Sequence, residues 1–533
     1  MIRRLFSGQT TTITAAAMIL GAASLVSRIL GMLRDRVLAA EFGAGVELDM
    51  YYTAFRVPDL LFNVVVLGAL SAGFIPVFAG YLKSPKRAWE LVNVVLNVMV
   101  VALLMISALL MVLAPWLVRI IAPGFSIEQI AITATLTRIM LISPMLLGMS
   151  GIFGSVLQSH KRFFVYALAP ILYNIGIIIG ALFFIGSLGI TGLAWGVVLG
   201  AFFHMAVQLV AMLPLGYRYQ WRFDLTHKGL QKIFSLMVPR TLGLITSQIN
   251  FLVITIIGST LAAGSIAIFN FANNIQSFPL GLFGVSFAIA VFPTLSELID
   301  KKKEFIETFS QAVRQILFLV IPASVLLIVL RAQVVRVVLG SGRFNWEDTV
   351  LTLETLSFFA LSLFAQALIL VLARAFYAFH DSKTPFYTGL ATTFANIILS
   401  LMLLEPFGVA GLALAFSMST MLNFILLILL LHYRLGKLDG HTISVSTVKI
   451  IVASFLLALV AQAVKYPLEQ LTGTETLLGV LTQAMTAIIA GSLTYLFAMW
   501  LLKSEELTIF AKSFKKKFTK RPPLAEAILE QQQ

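Results

Sequence analysis

The chain has 533 residues, of which 59% are hydrophobic and 12% are charged, and its mean hydropathy is +0.96. A soluble domain cannot bury that much apolar surface, whereas a lipid bilayer replaces the protein core as the apolar phase. The formal net charge of +14 does not indicate nucleic-acid binding, because the basic residues stand in short segments between apolar runs. The lack of cysteine excludes disulfides, thiolate metal sites and cysteine nucleophiles.

Long continuous apolar runs, rather than short alternating strands, predict an all-α polytopic membrane protein. Each crossing of the hydrocarbon core takes roughly 20 apolar residues, so we expect about 14 transmembrane helices. The first run is longer than the apolar core of a cleavable signal, so we interpret it as the first helix. The predicted spans are 11–41, 47–82, 89–121, 127–158, 163–186, 190–215, 229–261, 264–299, 305–339, 348–379, 384–404, 409–435, 445–468 and 476–502.

The loops between these spans alternate in charge, with Arg343 and Lys465 as the clear exceptions. The positive-inside rule therefore places the basic loops and both termini in the cytoplasm. The basic loops carry Arg3, Arg4, Lys83, Lys86, Arg87, Lys161, Arg162, Arg218, Arg222, Lys228, Lys232, Lys301, Lys302, Lys303, Lys383, Arg434 and Lys437. The other loops carry Glu41, Glu47, Asp49, Glu128, Glu347, Asp348, Glu405, Glu469 and Glu475.

The two halves of the chain resemble each other at an offset of roughly 215 residues, with an even number of spans between matching motifs. SRILG from Ser27 matches PRTLG from Pro239, and LGITGLA from Leu188 matches FGVAGLA from Phe407. A parallel repeat of this kind predicts two pseudo-symmetric six-helix lobes around a central cavity, plus two extra C-terminal helices. The predicted divisions are an N-terminal lobe at 1–222, a C-terminal lobe at 223–440, a lipid-tail groove at 441–503 and a basic cytoplasmic tail at 504–533.

Charged residues within apolar spans are costly in lipid and usually face a cavity or a partner. The first span contains SRILGMLRDR, in which Arg28 and Arg34 are about 120° apart around a helix. We therefore expect both to border one wide cavity. A guanidinium group suits phosphate and carboxylate recognition. The competing interpretation is a local ion-pair cluster of Arg34, Asp35 and Arg36.

Two further polar groups stand inside spans. Arg56 and Asp59 are three residues apart in the second span, where they either pair on one helix face or contact a substrate. The eighth span contains NFANNIQSFP, and its polar side chains need partners, so we expect them to face the cavity. These side chains are Asn270, Asn273, Asn274 and Gln276.

Features of an enzyme are scarce. The chain has no Walker A loop, so we do not expect it to hydrolyse nucleotide. The adjacent His380 and Asp381 lie in a short loop, where a turn and a helix cap explain them better than catalysis does. A membrane-embedded enzyme is the alternative from a different functional class, and acidic clusters near the membrane surface would favour it.

Several motifs together resemble the MurJ (MviN) lipid II flippases of the multidrug, oligosaccharidyl-lipid and polysaccharide exporter superfamily. They are SRILGMLRDRVLAAEFGAG, DMYYTAFRVPDLL, GALSAGFIPVF, APGF and LARAFYAFHDSKTP. The resemblance implies a bacterial inner-membrane protein that moves undecaprenyl-diphosphate-linked peptidoglycan precursor outward by alternating access. It also implies a lipid-linked glycan, membrane lipids and cell-wall synthesis proteins as partners, with no cofactor, no metal and no nucleic acid.

The resemblance assigns substrate-binding roles residue by residue. The family's first-span arginines match Arg28 and Arg34, and the acid that follows them matches Asp35. The outer acid of the second span matches Asp49. The resemblance therefore places three of these residues in one segment of the first span.

Two of the family's cavity arginines fall on neutral residues here, namely Asn63 in the second span and Asn274 in the eighth. Arg240, at the repeat position of Arg28, is the expected compensating cation, unless it only caps a helix or extends toward the head groups. Some relatives hold an ion at span eleven, where Asn396 and Ser400 stand without a carboxylate.

The primary functional prediction is a lipid II flippase. The alternative within transport is a flippase for another polyprenyl-diphosphate-linked oligosaccharide, which the two replaced arginines keep open. A multidrug exporter ranks lower, because cationic drugs prefer acids and aromatic rings over arginines. A membrane-embedded enzyme ranks last.

The topology can be tested by labelling, because a chain without cysteine accepts single cysteines directly. Cysteines at Lys86 and Lys302 should react with an impermeant thiol reagent only from the cytoplasmic side, and cysteines at Glu47 and Asp348 only from outside. Labelling of position 302 from outside would overturn the orientation.

Overall fold

The computed structural model describes residues 13–67, 73–473 and 476–519, with only the backbone described at 13–17, 67, 238–240, 242–247 and 513–519. The helices of the first half are α1 Ile13–Phe42, α2 Val46–Leu61, α3 Ile75–Tyr81, α4 Pro85–Ile121, α5 Ile127–Met140, α6 Ser143–Ser159, α7 Phe163–Ile179, α8 Ile185–Leu188, α9 Thr191–Met212 and α10 Lys228–Gly258. Those of the second half are α11 Ser265–Pro279, α12 Ser286–Glu297, α13 Lys302–Val329, α14 Arg331–Val338, α15 Trp346–Leu361, α16 Leu363–Ala378, α17 Lys383–Leu435, α18 Gly440–Thr472, α19 Leu477–Leu501 and α20 Glu505–Thr519.

The all-α polytopic prediction is confirmed, and the described residues contain no strand. Within them, nine helical segments are long and apolar enough to cross a membrane. A tenth is obtained if α15 and α16, which are bent by 43° at Ser362, form one span. The count of about 14 spans stays a prediction.

Several predicted spans are interrupted rather than straight. π-Helical turns follow α2 at Phe62–Leu67, α7 at Gly180–Phe184 and α11 at Leu280–Val285. The 53-residue helix α17 is broken at Gly408, whose φ of 52° lies in the left-handed region that favours glycine. This break falls between the predicted spans 384–404 and 409–435, so two spans run through one helix.

The described residues divide into two compact units. Unit 1 comprises the described residues of 1–278, 338–359 and 386–419. Its apolar core is formed by α2, α4, α6, α9 and α10, with Phe74, Phe78 and Phe153 among its most buried side chains. The lobe boundaries predicted from the internal repeat stay a prediction.

Unit 2 comprises the described residues of 279–337, 360–385 and 420–533. Its core joins α12, α13, α16, α18 and α19, and the Tyr495 hydroxyl donates to the Phe318 carbonyl at 2.7 Å. Arg314 on α13 holds the start of α20 through Glu506 at 2.7 Å and Glu505 at 3.0 Å. The basic tail therefore begins as a helix anchored to this unit.

In unit 1, α7 and α9 approach each other through glycines. Gly176 on α7 and Gly180 at the start of the following π-helical turn face Gly196 and Gly200 on α9. A Cβ atom at any of the four would lie against the backbone of the opposite segment. Small residues spaced four apart allow helices in lipid to pack backbone to backbone. Asn174 lies on α7 between Tyr173 and Gly176, which both take part in this contact.

Gly176→Val should force α7 and α9 apart, because the added side chain meets the backbone of Gly200. We expect a loss of at least about 1–3 kcal/mol of stability, as for overpacked interiors. Thermal unfolding of the purified protein in detergent would measure it. Gly186→Ala is the matched control, since nothing lies within 4 Å of its added Cβ. Equal melting temperatures for the two variants would contradict the packing role.

Candidate functional site

The charged residues of α1 and α2 in unit 1 meet one polar face of α11. Asn270, Asn274 and Ser277 are spaced by four and three residues, so they share a face over about 10 Å of helix. Each contacts a different charged group of the first two helices. We call this face, with those groups, the α11 ladder.

The middle of the ladder is the carboxylate of Asp35. Its Oδ1 accepts from Arg34 Nε at 3.0 Å and Nη2 at 2.7 Å, and its Oδ2 accepts from Asn274 Nδ2 at 2.8 Å. Arg34 Nη1 donates further to Asn174 Oδ1 on α7 at 3.2 Å. One buried carboxylate thus links α1 and α11, and its arginine links α1 to α7.

Arg28 lies two turns earlier on α1. Its Nη1 donates to the Ser277 carbonyl at 3.1 Å, which is the one bond that the described residues provide to this guanidinium. Arg28 is half-buried and forms no ion pair with a described residue. Most of its five N–H donors are therefore available to an anionic ligand.

Arg56 occupies the other end of the ladder. Its Nε donates to Thr255 Oγ1 at 2.7 Å and its Nη2 to Asn270 Oδ1 at 3.2 Å, and the guanidinium lies over the Phe251 ring at 5.5 Å. The simple pairing of Arg56 with Asp59 that the sequence allowed does not form, because α10 and α11 supply better-placed acceptors and a ring face.

The two asparagines at the expected arginine positions behave differently. Asn274 joins the ladder through Asp35, whereas Asn63 donates from Nδ2 to the Asp59 carbonyl of its own helix at 2.8 Å. Asn273 and Gln276 bond to each other at 3.1 Å. The polar cluster of span eight is thus only partly directed at α1 and α2.

Asp49 lies outside the guanidinium cluster and caps a helix. Its Oδ2 accepts from the Gly264 amide, and its Oδ1 accepts from the Ala267 amide at 2.8 Å, at the start of α11. A carboxylate at a helix N-terminus satisfies free amides and opposes the positive end of the helix dipole. The acid carried over as a substrate contact therefore fixes the beginning of the ladder helix.

The connections at this end of unit 1 pack backbone to backbone. A Cβ atom on Gly264 would meet the Ala44 carbonyl, and one on Gly342 would meet the Ala40 carbonyl. The Arg343 amide donates to the Ala40 carbonyl at 2.9 Å. The Ala44 amide donates to Asp348 Oδ2 at 3.2 Å. The acidic-loop end of unit 1 is therefore closed.

The candidate ion site on α17 is neutral. Asn396 Nδ2 donates to Asn250 Oδ1 at 2.6 Å, while Asn396 Oδ1 and Ser400 Oγ are buried with no partner among the described residues. These oxygens lack the negative charge that a cation needs to leave water, so the residues present do not fit a resident cation. The described residues contain no group of three or more acidic or histidine side chains that could hold a metal ion.

Two other residues singled out in the sequence are Arg240 and Asp381. The side chain of Arg240 lies outside the described residues, although its backbone belongs to α10. Asp381 caps α17 by accepting from the Thr384 amide and hydroxyl, and Arg434 bonds to it at 2.9 Å. Burial opposes ionisation there, but these bonds hold the pKa of Asp381 below its usual value. The His380–Asp381 loop therefore provides a helix cap for α17.

Sequence reasoning missed Asn174 and Thr255 as partners of the two arginines. Asn174 stands alone as a polar side chain in the apolar run APILYNIGIIIG, and that isolation was an available signal. Thr255 carried no such signal, because a threonine in a spanning helix can satisfy its hydroxyl on its own backbone, as it also does with Phe251 at 2.8 Å.

Comparison with known proteins identifies similar chains over nearly the full length. The family model described as "Lipid II flippase MurJ" matches residues 38–482. A probable lipid II flippase MurJ of Buchnera aphidicola is 30% identical over 502 residues, covering 92% of this chain and 97% of the relative. Another from Rhizobium tropici is 30% identical over 515 residues, covering 93% and 96%.

Solved structures show the same fold. Lipid II flippase MurJ in an inward closed conformation matches with a TM-score of 0.76 and 26% identity, covering 91% of this chain and 98% of that chain. An inward-facing multidrug resistance MATE family transporter of the MOP superfamily matches with a TM-score of 0.65 and 14% identity, covering 78% and 96%.

Asp49→Ala should destabilise the protein, because two buried amides at the start of α11 lose their acceptor. Loss of a helix cap costs about 0.5–2 kcal/mol, and thermal unfolding in detergent would report it. Glu47→Ala is the control, since Glu47 is an exposed acid in the same helical turn. Asp49→Asn should fall between the two. An unchanged melting temperature for Asp49→Ala would argue against the cap.

Proposed function

The chain belongs to the lipid II flippase MurJ family, and we propose that it moves lipid II from the cytoplasmic to the outer leaflet by alternating access. The observation that carries this proposal is the α11 ladder. It holds three arginines within predicted spans, and Arg28 and Arg56 form no ion pair with a described residue. Guanidinium groups without counter-ions at membrane depth suit a diphosphate brought in on a lipid.

Each arginine has its own part in this proposal. Arg28 offers most of its donors, so it makes the principal contact with the diphosphate. Arg34 already donates to Asp35 and Asn174, so few of its N–H groups remain for the diphosphate. Its part is to hold α1 in position and to add positive electrostatic potential at the site. Arg240, at the repeat position of Arg28, belongs to the proposed binding surface as the compensating cation. Asn63 belongs to it at the second-span position where the family carries arginine. Asp49 serves the same process by fixing α11.

The proposed path runs between two six-helix lobes at 1–222 and 223–440, with the lipid tail along 441–503. The closed acidic-loop end of unit 1 supports a state in which the outer side is sealed, since the loop charges predict that this end faces outward. In this state the head group enters from the cytoplasm. The predicted site is the bacterial inner membrane, with both termini cytoplasmic and cell-wall synthesis proteins as partners.

A flippase for another polyprenyl-diphosphate-linked oligosaccharide is the second candidate. The observation that favours it is the neutral pair Asn63 and Asn274, which leaves fewer fixed charges than the family pattern. Complementation of a strain depleted of its own lipid II flippase separates the two candidates. Growth with normal wall synthesis supports lipid II as the substrate. Failure of a correctly inserted chain to complement supports a different glycan. No step of either proposal requires covalent chemistry.

Arg28→Lys and Arg34→Lys should each impair transport in that strain, because lysine keeps the charge but loses the planar donor fork. One lost charge-assisted contact of about 1.5–3 kcal/mol corresponds to roughly 10–150-fold weaker binding. Binding of labelled lipid II to the purified variants gives the direct measurement. Arg119→Lys is the control, because Arg119 is exposed at the end of α4. Full transport by both site variants would leave only a general positive field.

A further inference from the structure

The carboxylate of Asp59 differs from those of Asp35 and Asp49, the two buried acids of α1 and α2. Asp59 lies on α2 within a predicted span and is half-buried, yet its carboxylate has no hydrogen bond and no ion pair with a described residue. Asp35 is held by Arg34 and Asn274, and Asp49 by two amides. A carboxylate within a predicted span normally finds such donors, so their lack at Asp59 requires an explanation.

The nearest cation does not neutralise this carboxylate. Arg56, one turn earlier on α2, is directed away onto Thr255 and Asn270 and over the ring of Phe251. It therefore acts on Asp59 only through space. The other described titratable groups that interact electrostatically with Asp59 are Tyr51 on α2 and Tyr173 on α7.

None of the charged side chains described on the packed neighbours pairs with the Asp59 carboxylate, including Arg28 on α1, whose one bond is to the Ser277 carbonyl. On α1, Arg34 and Asp35 bond to each other. On α10, the side chain of Arg240 is outside the described residues. The other charged residues of the helices packed on α2 stand near helix ends: Lys86, Arg87, Glu90 and Arg119 on α4, Glu128 and Arg138 on α5, and Lys228 and Lys232 on α10.

The helix around Asp59 is irregular. Pro58 precedes it inside α2, and the π-helical turn Phe62–Leu67 follows it. The side-chain amide of Asn63 donates to the Asp59 backbone carbonyl at the point where the regular helix ends. π-Helical turns and prolines are points at which a spanning helix can change its bend. The unpaired carboxylate thus stands at the part of α2 best able to move.

We infer that Asp59 is a proton-binding site that couples protonation to the conformational change of transport. This rests on the proposed flippase function. While water reaches the carboxylate, the ionised form is tolerated. When the surrounding helices close and water leaves, an ionised group without a partner costs several kcal/mol. A proton taken from water by a carboxylate oxygen removes that cost, and it returns to water when the site opens.

A proton fits this site better than a metal ion does. A sodium or other hard cation needs several oxygen ligands, whereas a proton needs one carboxylate oxygen. No cluster of three or more acidic or histidine side chains that could hold a metal occurs in the described residues. The neutral Asn250, Asn396 and Ser400 group offers no carboxylate that could take the same part. Asp59 thus supplies the titratable charge that those residues lack.

The sign of the pH dependence follows from this mechanism. The closing step requires the protonated form, so transport by the parent protein should fall as pH rises through the titration of Asp59. A single proton gives a limiting decrease of about tenfold per pH unit. Asp59→Asn is permanently neutral and should be insensitive to pH over the same range. Asp59→Glu should keep a pH dependence.

The test uses the purified full-length chain in proteoliposomes, with fluorescent lipid II as the probe and sodium held constant. Glu354→Gln is the matched control, because Glu354 is an exposed carboxylate of α15 without a described partner. It should keep the pH profile of the parent. A pH-dependent Asp59→Asn variant, or a pH-insensitive Glu354→Gln variant, overturns the assignment. A rate set by sodium instead of pH also overturns it.

An infrared measurement separates this site from the proposed function. Acid-minus-neutral difference spectra contain the C=O bands of all carboxyl groups that titrate in the interval. The readout is therefore the band component, shifted in D2O, that Asp59→Asn removes and Glu354→Gln retains. If that band is present but no lipid II moves, the flippase proposal fails and the proton site stands. If lipid II moves but the band persists in Asp59→Asn, the proton site is wrong.

Discussion

The carboxylate of Asp35, shared between Arg34 and Asn274, is the interaction on which the site depends. A guanidinium inside a spanning helix must be paired or solvated, and Asp35 does this from the next residue of the same helix. Because both Arg34 donors use Oδ1, the second oxygen remains for α11. Removing Arg34 or Asp35 alone would leave the other charge without its counter-ion. The shared carboxylate therefore fixes where α1 lies against α11, and the contact of Arg28 with the Ser277 carbonyl follows from that placement.

The closed end of unit 1 depends on a second carboxylate used in a different way. Asp49 binds backbone amides at the start of α11, so it holds a helix and not a side chain. Such a cap can be released without leaving a buried charge, provided that water reaches the carboxylate and the amides. The neighbouring glycine contacts at Gly264 and Gly342 add close packing but no charge. These contacts hold the backbone segments at this end in a defined position, and separating them leaves no unpaired buried charge. That combination suits a protein that alternates between two states.

The fold class and the charged residues of the site were predictable, because both can be read from the order of residues along the chain. Arginines such as Arg28 stand out in an apolar run. The His380–Asp381 loop was likewise identifiable as a cap, since its partners are local. The role of Asp49 was not predictable, because its partners lie more than 200 residues away. The partner of Arg56 was not predictable for the same reason. The spacing allows an i,i+3 pair with Asp59, but acceptors on α10 and α11, distant in sequence, bind the guanidinium instead.

The resemblance implies that Asn63 and Asn274 stand at two positions where the family carries arginine, and such a replacement would change the charge balance in a specific way. An arginine at position 274 would share Asp35 with Arg34, whereas Asn274 leaves Arg34 and Asp35 as a neutral pair. The positive field along the ladder then comes from Arg28 and Arg56. Asp59, one turn from Arg56, opposes that field when it is ionised and leaves it unopposed when it carries a proton. If Asp59 binds a proton as proposed, fewer fixed cations suffice to hold the diphosphate, because protonation removes the opposing negative charge. Diphosphate binding and protonation of Asp59 then favour each other through the same Coulomb interaction.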